Sequence, residues 1–205
     1  MINLELNNIK LEFETSDKVF SPSNIDKGTL AMLSQVEFNK NDKILDLGCG
    51  YGIVGIFASK LIGAKNVIMC DLSPDAVELS KSNATNNGII DLQIIQSDGL
   101  DNITDNNFSL ILSNPPYHVD FSVPKKFIEQ SYKRLITGGK MYMVTKRKDW
   151  YKNKLISVFG GVVIVELDGY YVFMAEKRNE KKVKIEKTST LSKKLQRKHV
   201  KTRNK

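Results

Sequence analysis

The sequence predicts an α/β protein with a Rossmann-like, doubly wound and mostly parallel sheet of seven strands. Apolar strand segments alternate with helical segments along most of the 205 residues, which is typical of a parallel sheet with helices on both faces. Acidic and glycine-rich residues follow the strands, at the edge where such sheets bind ligands. Asp168-Gly169 lies between the last two apolar segments and predicts a hairpin, so one strand is expected to be antiparallel.

An N-terminal extension is expected before this sheet. Ile9, Leu11 and Phe13 alternate with polar residues after an Asn7-Asn8 turn, a pattern that predicts a half-buried strand. The predicted division of the chain is 1–25 for a strand and lid extension, 26–177 for the sheet domain and 178–205 for a basic, disordered tail.

The elements of the sheet domain follow in order. Apolar segments predict the seven strands at 43–47, 66–70, 92–95, 108–113, 140–145, 162–167 and 170–176. Helices are predicted at 26–36, 53–61, from 74 onward, at 127–136 and at 150–159. Ser73, Pro74 and Asp75 favour a helix start, because serine caps, proline suits the first turn and an acid meets the positive end of the dipole. Gly138-Gly139 are expected to end the fourth helix.

Composition excludes several classes of protein. With 41% hydrophobic and 26% charged residues the chain is expected to be soluble, and its apolar runs fall short of the roughly 18 residues of a membrane helix. The first ten residues lack the pattern of a secretory signal, so a cytoplasmic location is expected. Cys49 and Cys70 have no CxxC partner, and His118 and His199 are scattered, so we expect neither a disulfide nor a metal site.

The net charge of +8 is unevenly distributed. From Lys177 to Lys205, thirteen Lys or Arg stand against two Glu and no aromatic residue, so this segment cannot bury a core of its own. It is either a solvated terminus or an electrostatic arm for RNA, DNA or an anionic membrane. Nucleic acid is favoured, because a membrane-surface helix would carry more apolar bulk.

Four polar residues are expected to meet at the carboxyl edge of the sheet: Asp46, Asp71, Asp98 and Asn114. The loop DLGCGYG adds Gly48, Gly50 and Gly52, which let a backbone approach a ligand closely. Asp71 suits a ribose diol and Asp98 the amino group of an adenine. Gly55 also completes the G-x-G-x-x-G spacing of dinucleotide sites, but Asp46 before the loop is foreign to that fingerprint. The ligand indicated is an adenine nucleoside with a small charged attachment.

The motifs DLGCGYG, Asp71, SDG and NPPY resemble those of class I S-adenosylmethionine-dependent methyltransferases. VFSPSNIDKGTLAML, FIEQSYKRLITGGKMYMV and GYYVFMAEK resemble the small-domain group, which includes bacterial small-subunit ribosomal RNA guanine-N2 methyltransferases. The likeness covers about residues 19–177. Three features depart from the group: the chain is too short for a duplicated N-terminal half, His118-Val119-Asp120 follows the tetrapeptide, and the basic tail is no hallmark of the family.

The resemblance implies a site for S-adenosyl-L-methionine. Asp46, Gly48, Gly50 and Gly52 would surround its methionine part, Asp71 would hold the ribose and Asp98 the adenine. The cofactor-binding set is completed by Cys49, Leu72, Gly99 and Asn114. For Cys49 a small packed residue explains the position better than a catalytic thiol.

The NPPY tetrapeptide is the predicted catalytic element. The side-chain carbonyl of Asn114 and the backbone carbonyl of Pro115 can accept both N–H groups of a planar amine, which favours the pyramidal nitrogen of the transition state. Pro115 and Pro116 restrict the loop, and Tyr117 offers a face on which a base can stack. The simple alternative is an ordinary proline turn at the end of a strand.

Five further residues are candidate substrate contacts: Phe20, Ser21, His118, Lys146 and Arg147. Phe20 and Ser21 could form a lid or merely pack. Lys146 and Arg147, near Trp150, are read as an RNA rim or as a charged loop.

The predicted function is methylation of guanine N2 in ribosomal RNA, with RNA or a ribosomal subunit as partner. Three alternatives stay open: N6-methylation of adenine in RNA or DNA, methylation of a protein glutamine, and a non-catalytic RNA-binding or ribosome assembly factor. No membrane and no metal are expected as partners.

Overall fold

The computed structural model describes residues 1–16, 25–116 and 120–179, which contain nine strands, five α-helices and a short 3-10 helix at Ala64–Asn66. The strands are β1 (Ile2–Leu6), β2 (Ile9–Phe13), β3 (Ile44–Leu47), β4 (Val67–Asp71), β5 (Gln93–Gln96), β6 (Phe108–Ser113), β7 (Leu135–Thr145), β8 (Val163–Leu167) and β9 (Tyr170–Glu176). The helices are α1 (Lys27–Leu33), α2 (Ile53–Ile62), α3 (Pro74–Asn86), α4 (Ser122–Arg134) and α5 (Asp149–Phe159).

Seven of these strands form the main sheet in the order β5-β4-β3-β6-β7-β9-β8. Strands β5, β4, β3, β6 and β7 run parallel, and β9 pairs antiparallel with both β7 and β8. The predicted sheet, with its single antiparallel strand, is confirmed. Chain order reverses between β3 and β6, which makes their carboxyl ends the expected ligand crevice.

The central strands are buried on both faces. Ile44 and Leu110 belong to the core on one face, while Leu45 and Ile111 belong to the core on the other. Successive residues of a strand point to opposite faces, so a strand covered by helices on both sides must be apolar throughout. This explains why these strands are visible in the sequence as continuous apolar runs.

Two hairpins turn where the sequence places asparagine, aspartate and glycine. Asp168 and Gly169 have φ angles of 49° and 77°, as a two-residue turn that matches the strand twist requires. Asn7 and Asn8, at 51° and 62°, make the same kind of turn between β1 and β2. The predicted N-terminal strand is thus one half of a hairpin.

This N-terminal hairpin is attached to α3 by two asparagine side chains. Asn83 accepts from the backbone N–H of Glu14 (2.8 Å) and donates to its carbonyl (3.0 Å). Asn87 does the same with Glu12 (3.0 and 2.7 Å). The side-chain amides thereby replace a neighbouring strand along this edge of β2. Asn83 also donates to the carbonyl of Tyr51 (2.9 Å), which ties the hairpin to the glycine-rich loop.

The fourth helix is the element that the sequence misplaced. It was expected over 127–136 with Gly138-Gly139 as its end, whereas α4 ends at Arg134 and β7 begins at Leu135. Leu135 pairs with Phe108, and the register shifts before Leu110. Gly138 and Gly139 belong to this irregular part of the strand and exchange backbone hydrogen bonds with Lys177 (2.7 and 2.9 Å). The helix α1 is likewise shorter than predicted, ending at Leu33.

Candidate active site

A cavity of about 300 Å3 lies at the carboxyl ends of the central strands. It is bordered by the loop after β3, the ends of β4 and β5, the residues after β6, and the first turns of α1 and α4. Ten of the sequence-predicted residues line it together: Asp46, Gly48, Cys49, Gly50, Asp71, Leu72, Asp98, Gly99, Asn114 and Pro116. The expectation that these residues meet at one edge of the sheet therefore agrees with the geometry.

The glycine-rich loop turns tightly over the end of β4. The backbone N–H groups of Gly48 and Cys49 both donate to the carbonyl of Cys70 (2.9 Å each). Gly48 and Gly50 have φ angles of 77° and 55°, which glycine adopts without strain. Gly52, at 101°, precedes α2 and does not line the cavity; its surroundings are side chains of the core.

Asp46 is a buried carboxylic acid at the end of β3, 2% exposed. Its Oδ2 accepts from the backbone N–H of Gly55 at 2.8 Å. Burial raises the pKa of Asp46 to about 7; the Gly55 hydrogen bond opposes the rise and the charge of Asp71 adds to it. A cation entering the cavity would favour the ionised form, so this side chain suits an ammonium group.

Gly55 is small for a packing reason. A Cβ at this position would lie 2.4 Å from Cγ of Met69 and 3.2 Å from Oδ2 of Asp46. The glycine therefore permits α2 to approach β4 and to bring its N–H to Asp46. The G-x-G-x-x-G spacing is met, yet this third glycine serves packing and does not line the cavity.

Asp71 is held by backbone N–H groups on both carboxylate oxygens. Gly50 donates to Oδ2 and Ser73 to Oδ1, each at 2.9 Å. A carboxylate oxygen can accept a second hydrogen bond, so this fixed carboxylate can take both hydroxyls of a ribose. The loop after β3 and the start of α3 thus orient one side chain.

The residues that follow β4 and β5 add an apolar and an acidic side chain to the cavity. Leu72 lines it yet is 64% exposed, so its side chain is suited to pack against a flat ring. The carboxylate of Asp98 is 60% exposed and forms an ion pair with Lys126 at 2.8 Å. Gly99 has a φ angle of 60°, which glycine adopts without strain.

Asn114 follows β6 and is held by two side chains at the start of α1, the cap residue Asp26 and Thr29. Its Nδ2 donates to Oδ2 of Asp26 and to Oγ1 of Thr29, both at 2.9 Å. Asp26 also caps α1 by accepting from the N–H of Thr29 (3.0 Å) and accepts from the hydroxyl of Tyr170 (3.2 Å). Sequence reasoning missed Asp26, Thr29 and Tyr170, because a helix cap and a strand tyrosine are sufficient local explanations for them.

The rest of the tetrapeptide is divided between the core and the cavity. Pro115 is buried and does not line the cavity, whereas Pro116 is exposed and does. Tyr117 and His118 lie outside the described residues, as do Phe20, Ser21 and the tail from residue 180 onward. The predicted roles of these residues stay predictions.

Tyr51 is a cavity residue that the sequence analysis did not single out. It is 4% exposed, and among the described residues its hydroxyl has no hydrogen-bond partner. Burial, together with the negative charge of Asp26, raises the pKa of Tyr51 to about 12. A buried hydroxyl without a partner is costly, so the position fits a ligand that supplies a polar group. In the sequence, the position of Tyr51 between Gly50 and Gly52 of the glycine-rich loop indicates that it lies near the ligand.

The two cysteines are buried and chemically inert. Burial raises the pKa of Cys49 well above its ordinary value and that of Cys70 to about 12. A raised pKa disfavours the thiolate, so both thiols are poor nucleophiles near neutral pH. Cys49 lines the cavity as a small packed side chain, and Cys70 lies within β4.

Lys146 and Arg147 lie outside the cavity lining, in a patch that we call the basic-aromatic rim: Phe121, Lys146, Arg147 and Trp150. Phe121 stacks on Trp150 with ring centroids 4.5 Å apart, and Arg147 lies over Phe121 at 5.1 Å. Lys146 lies over the ring of Tyr170 at 4.9 Å, so the rim adjoins the residues around Asn114.

Comparison with known proteins decides the family. The sequence model of the methyltransferase small domain matches residues 10–174. The chain belongs to the methyltransferase small domain family. This methyltransferase is 32% identical over 181 residues to the uncharacterized protein YbxB of Bacillus subtilis (strain 168), covering 85% of this chain and 90% of that protein.

Other relatives carry functional names. Ribosomal RNA small subunit methyltransferase C of Serratia proteamaculans (strain 568) is 31% identical over 165 residues, covering 78% of this chain and 47% of that protein. A structure of the 16S rRNA N2 methyltransferase RsmC of T. thermophilus, in complex with AdoMet and guanosine, has a TM-score of 0.74 at 26% identity and covers 86% of this chain and 50% of that one. The chain spans about half the length of these two proteins.

A methyltransferase from Pyrococcus furiosus shares the fold, with a TM-score of 0.69 at 17% identity, over 82% of this chain and 89% of that one. The predictions of a Rossmann-like methyltransferase and of S-adenosyl-L-methionine as its cofactor are confirmed at the level of the family. The cavity fits that cofactor, since it offers an acid for an ammonium, an acid for a ribose and the buried Tyr51 hydroxyl, which has no partner in the part of the chain that the structure describes. In residues 1–16, 25–116 and 120–179, no helix is long and apolar enough to cross a membrane.

Proposed function

We propose that this methyltransferase transfers a methyl group to an exocyclic base amine of RNA, namely guanine N2 of ribosomal RNA. The observation that carries the proposal is the Asn114 amide at the cavity. Its nitrogen is bound by Asp26 and Thr29 (2.9 Å each), which makes the carbonyl oxygen the end that can accept from a substrate amine.

The cofactor is assigned to the part of the cavity formed by the ends of β3, β4 and β5. Asp46 and Tyr51 would bind its amino acid moiety, Asp71 its ribose, and Leu72 with Asp98 its adenine. When bound there, S-adenosyl-L-methionine supplies an electrophilic methyl group. The protein contributes fixed partners, because Asp46 and Asp71 are already oriented by backbone N–H groups.

The substrate amine needs acceptors more than it needs a base. Its lone pair is delocalised into the ring, so attack requires the nitrogen to become pyramidal. The carbonyl oxygen of Asn114 would accept from one of its N–H groups and favour that geometry. Pro115, whose backbone carbonyl is the second acceptor predicted from the sequence, does not line the cavity. In the proposed reaction the substrate nitrogen would form a bond to the methyl carbon while the carbon–sulfur bond breaks, and the nitrogen would then lose one N–H proton to solvent.

RNA is favoured as the substrate over a protein glutamine by the basic-aromatic rim. Phe121 and Trp150 form a stacked pair with the guanidinium of Arg147 against it. Aromatic and guanidinium planes are the usual surfaces on which unpaired bases stack. The rim adjoins Tyr170 beside the Asn114 site, so a nucleotide in the cavity could have its neighbours on the rim. The relatives from Serratia proteamaculans and T. thermophilus are named as ribosomal RNA methyltransferases, which supports the same assignment.

The test is transfer of a labelled methyl group from S-adenosyl-L-methionine to RNA and to small ribosomal subunits from a strain that lacks this gene. Digestion to nucleosides should place the label in N2-methylguanosine. Label in N6-methyladenosine or in protein would contradict the proposal. Asn114→Ala protein serves as the control for activity from a contaminating enzyme.

A further inference from the structure

The side chain of Asn114 lies at the meeting point of three distant parts of the chain. Asp26 and Thr29 lie at the start of α1, and Tyr170 is the first residue of β9. In the sequence, Asn114 is 88 positions from Asp26, and Tyr170 is 144 positions from Asp26. Asp26 accepts on Oδ2 from Asn114 and from the N–H of Thr29, and on Oδ1 from Tyr170. We call these four side chains the amide network.

The chemistry of the network determines which way the amide faces. An amide side chain has a donating and an accepting end of nearly equal size, but a carboxylate can only accept. The NH2 group of Asn114 must therefore face Asp26, and the carbonyl oxygen takes the opposite corner of the amide plane. With the amide reversed, a donor would meet the N–H groups of a substrate amine.

Gly28 allows this arrangement to form. A Cβ at Gly28 would lie 2.7 Å from Oδ2 of Asp26 and 2.7 Å from two ring carbons of Tyr170. Any larger residue would displace the carboxylate or the ring. Glycine at position 28 therefore lets α1 approach β9 closely beside Asn114. Helix capping by Asp26 would not by itself require a glycine at this position.

We propose that Asp26 is a positioning residue that orients the Asn114 amide with its oxygen toward the substrate amine, and that Tyr170 holds Asp26 in place. This inference rests on the proposed function, since it assigns the amide's oxygen to substrate. It adds that fast methyl transfer requires a hydrogen-bond acceptor at the Oδ2 position of residue 26, and does not require the negative charge of Asp26.

The experiment compares Asp26→Ser with Asp26→Asn. Serine still caps α1 but is too short to reach Asn114 and Tyr170 together, whereas asparagine keeps an acceptor for Thr29 and Asn114 while its NH2 donates to the Tyr170 hydroxyl. At saturating cofactor and RNA, kcat should fall about 10- to 100-fold in Asp26→Ser, because a misplaced reacting or contacting group can cost up to about 100-fold. Asp26→Asn keeps the acceptor and should restore kcat to within about threefold.

Two outcomes would overturn the inference. One is an unchanged kcat in Asp26→Ser with only the cofactor Kd or the melting temperature altered, which would leave Asp26 a structural cap. The other is an equal loss in both variants, which would mean that the charge itself acts on substrate. Tyr170→Phe should lower kcat about three- to tenfold, and Tyr171→Phe, on the opposite face of the same strand, should leave it unchanged.

A double-variant cycle separates this inference from the proposed function. If Asn114→Ala retains full activity, the proposed amine-acceptor mechanism fails, whatever Asp26 does. If Asn114→Ala abolishes most activity, Asp26→Ser should cause no further loss in that background, because no amide is left to orient. Full additivity of the two losses would contradict the inference and leave the proposed function standing.

Discussion

The two ends of the cavity are built in different ways. At the cofactor end, Asp46 and Asp71 are oriented by backbone N–H groups of Gly55, Gly50 and Ser73, at most 21 positions away. At the amine end, Asn114 is oriented by the side chains of Asp26 and Thr29 at the start of α1. Tyr170 of β9, far away in the sequence, donates a hydrogen bond to Asp26. The donors at the cofactor end are backbone N–H groups, which every residue except proline retains, whereas the groups that hold Asn114 at the amine end are side chains that a substitution removes.

The largest effect that distinguishes the two ends is expected for Asn114→Ala. Removing a preorganised transition-state partner typically costs about 100- to 1000-fold in kcat. Cofactor affinity should change by less than about threefold, because the acids of the cofactor end are held independently. Single-turnover methyl transfer and equilibrium binding of S-adenosyl-L-methionine measure the two quantities. A comparable loss in both would mean that the ends are not separable.

The next effect is a pH dependence confined to the cofactor end. Since the pKa of Asp46 is about 7 in the protein without ligand, an ammonium-bearing cofactor must displace a proton below that pH. Its Kd should weaken by up to about tenfold per pH unit below 7 and level off above 7. In Asp46→Asn the affinity should be lower at pH 8 and nearly independent of pH. A Kd that stays constant from pH 5.5 to 8 in the unaltered protein would contradict this role.

The same residue should oppose folding when no cofactor is bound. Its folded pKa lies above the ordinary value, so the unfolded chain loses this proton first, and stability declines as the pH rises from about 4 to about 7. Asp46→Asn should therefore melt at a higher temperature than the unaltered protein at pH 8 and at a similar temperature at pH 4.5. Thermal unfolding without ligand measures whether the melting temperature rises in Asp46→Asn at pH 8. Asp71→Asn, the same substitution at the end of the neighbouring strand β4, is the control variant.

A smaller effect is expected at the rim, which lies outside both ends. Arg147→Ala removes a cation from the face of Phe121 and should raise the KM for RNA about fivefold at low salt, with little change in kcat or cofactor Kd. The increase should shrink as the salt concentration rises, because phosphate attraction is screened. Lys65→Ala, at the 3-10 helix remote from the cavity, is the matched loss of charge and should leave the KM unchanged.

The last effect, similar in size to that at the rim, is expected for Tyr51→Phe. Loss of one hydrogen bond to the cofactor should weaken its Kd about two- to tenfold. Without cofactor the variant should be at least as stable as the unaltered protein, because a buried hydroxyl without a partner among the described residues is removed. Isothermal titration and thermal unfolding give both values. Weaker stability with unchanged affinity would place the hydroxyl in the fold instead of the site.

Sequence reasoning succeeded where local rules dominate. The strand at 170–176 is predicted to the residue, because a two-residue turn and an alternating strand are defined by neighbours in the chain. Ser73 caps α3 as expected. It failed at Leu135, where pairing with Phe108 across the sheet outweighs a helical pattern and two glycines. The local helical preference was outweighed by a strand pairing with a residue 27 positions away, which local patterns do not reveal.

By itself the sequence determined the sheet, its carboxyl edge and the acids Asp46, Asp71 and Asp98 together with Asn114 along it. The sheet follows from apolar runs that must be buried. The acids and Asn114 follow from short motifs in which each of these residues is next to the loop that ends its strand. Only the tertiary structure decided how Asn114 is oriented, through Asp26 and Tyr170, and why Gly28 and Gly55 are small. Such contacts join residues far apart in the chain, and each of these residues has a simpler local explanation that hides its second role.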